Sequence, residues 1–116
     1  MALRIRSHDG KSRMDDHEIA LAPRDKYGLF SDPLSTTGVF FRETAADYDS
    51  GWHVAPSPLY LVILDGEVEV EVSGGERRRV AAGGVILAED LDGEGHRTRA
   101  VGDKPVRSLV IYLAKS

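Results

Sequence analysis

Leu59-Tyr60-Leu61-Val62-Ile63-Leu64, then Asp65-Gly66, then Glu67-Val68-Glu69-Val70-Glu71-Val72: this stretch decides the fold class. Its first six residues are apolar without interruption, as a strand buried on both faces requires. Asp-Gly is a tight-turn pair. The last six alternate strictly, which sends the valines to one face and the glutamates to the other. Downstream, Ser73-Gly74-Gly75-Glu76 turns the chain into Arg77-Arg78-Arg79. Three arginines in a row invite a phosphate. Cross-strand pairing with the glutamates, worth ~0.2–1 kcal/mol per pair, explains them more simply.

Working outward, Thr37–Thr44, Val85–Ala88, His96–Val101 and Val106–Leu113 read as further strands. Turn clusters separate them at Asp47 to Gly51, Ala82-Gly83-Gly84, Gly93-Glu94-Gly95 and Gly102-Asp103-Lys104-Pro105. No segment repeats at the 3.6-residue helical period. Short strands with turn signals every ~8–12 residues imply an all-β sandwich or barrel. Residues 1–37 are sparse in apolar side chains and broken by Asp9-Gly10, Pro23, Gly28 and Asp32-Pro33. They read as an irregular N-terminal arm packing on the barrel, with Ile19-Ala20-Leu21 as one short strand; a disordered tail over residues 1–15 is the alternative. Arm (1–37) and barrel (38–116) together form one domain.

The chain has 116 residues, 41% hydrophobic and 29% charged, with a net charge of −4. That balance describes a soluble globular protein and gives no general pull towards nucleic acid. The longest apolar run is far short of the ~20 residues a membrane span needs, and no secretory leader is recognisable. There is no cysteine, so disulfides, thiolate nucleophiles and thiolate metal sites are excluded. The expectation is a cytoplasmic protein acting on small molecules.

Two histidines bracket the central strands. His53 stands in Gly51-Trp52-His53-Val54-Ala55-Pro56, and His96 follows Gly93-Glu94-Gly95. With the glycine-led strand Gly84-Val85-Ile86-Leu87 between them, this order and spacing resembles the cupin superfamily over about residues 38–113. Trp-His-x-Ala-Pro, Leu-x-Gly-Glu and Glu-Asp-x-x-Gly-x-Gly-His resemble a branch of small bacterial single-domain cupins. The resemblance implies a cupin-type jelly-roll β-barrel, often dimeric. It also implies a metal (Fe, Mn, Ni, Zn or Cu) held by two histidines, a glutamate and a third histidine. Counting back from Gly66 puts the glutamate slot at Leu59, the second histidine slot at Ala55 and the first at His53. Only His53 and His96 survive from that set, so no metal is favoured. Were Fe, Mn, Zn or Ni bound, those two would hold it with a third ligand drawn from Glu43, Glu89, Asp90, Asp92, His8 or His17.

If Leu59 points inward, so do Leu61 and Ile63 by alternation, and the pocket floor is apolar. Phe41, Trp52 and Tyr112 are the other candidate substrate-binding walls. Histidine titrates near neutral pH and suits proton transfer. His53 and His96 are therefore the candidate acid and base, with Glu43 or Asp90 as the accompanying carboxylate. Glu43 is expected to face the pocket and Arg42 to face away. Glu89 and Asp90 must point to opposite faces, so only one can enter. The favoured reading is metal-independent isomerisation, cyclisation, dehydration or decarboxylation of a small, largely apolar substrate. The alternatives are an oxygenase-like metal-dependent cupin and a non-catalytic module that binds or senses a small ligand. A homodimer is expected from the family habit and the unassigned arm.

Overall fold

β6 (Leu59–Asp65) and β7 (Glu67–Val72) follow one another directly, yet they do not pair. In the computed structural model, which describes residues 1–114, the Asp65-Gly66 turn carries the chain from one sheet into another. Gly66 sits at φ +90°, and a Cβ there would lie 3.1 Å from both the Pro105 carbonyl oxygen and Val106 Cγ2. A side chain at this corner would be strained by the left-handed backbone and crowded by both neighbours.

β6 is a central strand of the larger sheet. Its neighbours are β9 (Val85–Glu89) and β11 (Val106–Leu113), and beyond β11 the sheet ends at β5 (Thr36–Thr44). β7 centres a three-stranded sheet between β8 (Arg77–Ala81) and β10 (His96–Val101). Val68, Val70 and Val72 face inward and are buried, meeting Leu61, Ile63, Ile86, Val106 and Val110 of the larger sheet in one core. Fully burying such a side chain contributes ~1.5–3 kcal/mol. On the outer face Arg77 pairs with Glu71 at 3.3 Å and Arg79 with Glu69 at 4.0 Å, while Arg99 of β10 also reaches Glu69. Arg78 reaches away to Asp16. The arginine run is thus absorbed by carboxylates.

The amino-terminal region corrects the expectation of an irregular arm. β1 (Ala2–His8) and β2 (Lys11–His17) form a hairpin that extends the larger sheet, β1 lying parallel beside β9. Asp9-Gly10, read as an interruption, is its turn, with φ of 53° and 81°. Leu3 and Ile5 alternate with Arg4 and Arg6 and enter the core, where Met14 joins them. β2 carries so few apolar residues that its pattern is hidden. Pairing with β1 holds it, including a 2.7 Å ion pair from Arg4 to Asp15 that draws the Asp15 carboxyl below its usual range. Ile19-Ala20-Leu21 is not a strand; Ile19 packs on Tyr60 and Leu87 on the outer face of the larger sheet. β3 (Ala22–Asp25) and β4 (Gly28–Phe30) form a separate, exposed two-stranded ribbon. No helix occurs among the described residues, so none is long and apolar enough to cross a membrane.

Candidate active site

His53 and His96 meet through their backbones before their rings meet. The His53 N–H donates to the His96 carbonyl at 3.0 Å, and the His96 N–H returns the bond at 2.8 Å. Gly95 makes this approach possible. It sits at φ +82°, and a Cβ there would fall 2.0 Å from the His53 carbonyl oxygen. The segment before His53 is laced onto β10 in the same way. Ser50 N–H donates to the Thr98 carbonyl, and Ser50 Oγ accepts from the Thr98 N–H. The Arg97 guanidinium and the Gly51 N–H both donate to Asp49, which holds its carboxyl well below the usual carboxylate range. These bonds set Tyr48 and His53 over one end of the core.

That end is open as a cavity of about 240 Å³. Its floor is aliphatic, formed by Ile5, Leu59, Leu61, Ile86 and Val110. Its polar groups are Arg42, Tyr48, His53, His96, Thr98 and Tyr112. The two imidazole rings lie 4.6 Å apart between centroids, tilted by 53°.

Behind His96 stands Asp90, with no exposed surface at all. Its Oδ2 lies 2.7 Å from His96 Nδ1 and 2.6 Å from Ser12 Oγ. A carboxylate only accepts, so both Nδ1 and the serine hydroxyl donate to it. His53 Nδ1 lies 3.1 Å from the Gly51 carbonyl, which likewise can only accept. Each ring therefore spends its Nδ1 proton on the protein and keeps Nε2 available. Taking a carboxylate out of water costs several kcal/mol, and two hydrogen bonds on one oxygen offset part of it. Asp90 Oδ1 is buried with no hydrogen-bond partner among the described residues.

The family profile for the cupin domain matches residues 41–112, more than half of the chain. The chain belongs to the cupin family. Among solved structures, this cupin is similar to a conserved Streptococcus pyogenes protein of unknown function, with 23% identity and a TM-score of 0.54, covering 74% of this chain and 72% of that one. It is similar to the Schizosaccharomyces pombe Cnp3 cupin domain at 15% identity, TM-score 0.59, over 90% and 77% of the two chains. The Drosophila melanogaster CENP-C cupin domain matches at 17% identity, TM-score 0.53, over 94% and 69%. Identities this low establish the fold alone. No curated protein matches the chain.

The donor set does not fit the metal that cupins commonly hold. His53, Ala55, Leu59 and His96, the four positions that the cupin resemblance assigns to ligands, all line the cavity, but two of the four carry alkyl groups. A catalytic metal usually needs three protein ligands. Among the described residues no group of three or more His, Cys, Asp or Glu is placed to hold an ion. Asp90 is engaged through His96 Nδ1 and faces away from the cavity. Glu89 projects from the other side of the strand, and Asp92, His8 and His17 lie elsewhere.

Several candidate side chains stand elsewhere than expected. Glu43 is on the outer surface, accepting from Arg107 Nε at 2.9 Å, and Arg42 is the residue that enters the cavity. The register explains this exchange. Residues directly opposite in an antiparallel pair share a face; Arg42 stands opposite the buried Ser108, and Phe40 stands opposite the buried Val110. Phe41 therefore points outward and is 79% exposed. Trp52 is half exposed beside Ser73 and Glu94, outside the cavity. Ile63 follows the inward alternation but lies below the cavity, in the closed core. Leu59, Leu61 and Tyr112 line the cavity, and the Tyr112 ring packs against Phe40 at 5.6 Å. Phe40, Arg42, Tyr48 and Thr98, which the sequence did not single out for the site, line it as well. Adjacent Phe40 and Phe41 hide the phase of β5, whereas the opposite charges of Glu43 and Arg107 were the available signal for it.

Proposed function

We propose that this cupin is a small-molecule enzyme using metal-independent acid–base chemistry in the cavity beneath His53 and His96. One observation carries the reading: a fully buried carboxylate, Asp90, oriented on the Nδ1 of a histidine that lines an apolar cavity. Such a carboxylate fixes the tautomer and ring angle of its histidine and stabilises the imidazolium that forms when the ring takes a proton. His96 is then the base acting through Nε2. His53, one ring away, returns or receives a proton at a second position. The aliphatic floor favours a substrate with a largely apolar body. The cavity is just below the ~300–1,000 Å³ range of drug-sized sites, which limits the substrate to a small molecule. Isomerisation and cyclisation need only paired proton transfers; dehydration also releases the hydroxyl as water once it is protonated, and decarboxylation releases carbon dioxide and puts a proton on the carbon left behind. We also read the exposed apolar residues Tyr27, Leu29, Leu34, Val39 and Phe41 as the surface of a homodimer.

The test is turnover of candidate substrates by metal-stripped protein, followed by mass spectrometry. Activity should survive chelation and fall ~10²–10⁴-fold in His96→Gln, the usual contribution of a general base. Stoichiometric Fe, Mn, Zn or Ni in purified protein, lost in His53→Ala together with activity, would overturn the reading. A ligand returned chemically unchanged after long incubation would make the cavity a binding site.

A further inference from the structure

We infer that Arg42 is the anchor for a carboxylate on the ligand, so that the site takes a small monoanionic acid with an apolar body. The inference rests on the cavity being the ligand site proposed above, and it adds the class of molecule that fits.

Arg42 differs from the other arginines of the chain. Eight of them are paired with Asp or Glu side chains: Arg4, Arg6, Arg77, Arg78, Arg79, Arg97, Arg99 and Arg107. Arg13 donates to the Gly74 carbonyl, and Arg24 lies exposed over the Phe30 ring. Arg42 lines the cavity, and its buried Nε has no hydrogen-bond partner among the described residues. An unmet donor of that kind is uncommon in a folded protein and calls for an absent acceptor. The guanidinium carbon stands 5.7 Å from the Tyr48 ring centroid, a cation–π contact that holds the side chain in place without neutralising it.

The rest of the cavity agrees. Its lining includes no Asp or Glu, so the Arg42 charge has no counterion there. A guanidinium presents a planar fork that matches a carboxylate with two parallel hydrogen bonds. One such fork in an aliphatic cup suits a single negative charge better than a phosphate dianion, which takes several donors. The ligand would lay its hydrocarbon body over Leu59 and Leu61 and bring another carbon to His96. A carboxylate neutralised by Arg42 is stabilised as an anion and is a poor group to lose as carbon dioxide. Isomerisation, cyclisation or dehydration elsewhere on the molecule is therefore favoured over decarboxylation.

The experiment compares acids with their neutral isosteres on the full chain. Hexanoate, 3-methylbutanoate and phenylacetate are titrated against their primary amides and against phenyl phosphate, following backbone amide resonances around Thr98 and His96. At least one acid should bind about tenfold or more tightly than its amide. Arg42→Gln should erase that preference while keeping a dispersed, folded spectrum, and Tyr48→Leu should weaken it. In His96→Gln the preference should persist. Equal binding of acid and amide, absence of binding by every acid, or a preference surviving Arg42→Gln overturns the inference. Phenyl phosphate binding as tightly as phenylacetate overturns it in favour of a phosphate. Acid preference without turnover of any candidate keeps Arg42 as anchor and removes the acid–base reading. Turnover with an unchanged KM in Arg42→Gln does the reverse.

Discussion

β7 and β5 treat the rule of alternation in opposite ways. In β7 every valine is inside and every glutamate faces solvent, and the strand centres its sheet. In β5 an arginine goes in and a phenylalanine goes out, at the open edge of the larger sheet. The strand that follows the rule holds the core together. The strand that violates it supplies the cavity's cation and presents apolar surface to the outside. Departures from local preference tend to collect where a protein binds something, because stability alone would remove them.

Val70 has no exposed surface. Val70→Asp should cost on the order of 4–5 kcal/mol by burying an unpaired charge, most of the stability of a small domain. Chemical denaturation should find the variant unfolded or nearly so. A folded variant with a slightly lowered midpoint would contradict the core described for β7.

Gly95→Ala should have an intermediate effect of about 2–3 kcal/mol, from the left-handed backbone and the collision with the His53 carbonyl. The loss should come with displaced His53 and Thr98 resonances and a weaker site. A variant with wild-type stability would mean that the two histidine segments do not approach as described.

Phe41→Asp, the mirror of Val70→Asp, should change the stability of the isolated chain by less than ~0.5 kcal/mol, because the side chain already faces out. Its effect should appear in association. Light scattering should find a wild-type dimer and a variant shifted to monomer. Monomeric wild type over the whole concentration range would reject the dimer, and a large loss of stability would reject the outward assignment of Phe41.

The sequence made the fold legible wherever one strand carried its own phase. Leu59 to Val72 declared two strands and an inward valine face, and the resemblance to the cupin motifs assigned His53, Ala55, Leu59 and His96 to one site, the cavity they line. It failed where phase depends on a partner strand. Phe40-Phe41-Arg42-Glu43 admits either alternation, and only pairing with β11 settles it. β2 offered too few apolar residues to be seen without β1. The carboxylate behind His96 was legible as one of the Glu89-Asp90 pair, but its second partner, Ser12, lies 78 residues away in the chain.

Base catalysis as proposed needs Asp90 to fix the proton of His96 on Nδ1 and leave Nε2 free to work. Long-range proton–nitrogen NMR spectra of the histidine rings, in wild type and Asp90→Asn, test it most directly. Nδ1 of His96 should carry the proton in the wild type, with that preference weakened or lost in the variant. A wild-type ring with its proton on Nε2 and a bare Nδ1 would contradict it.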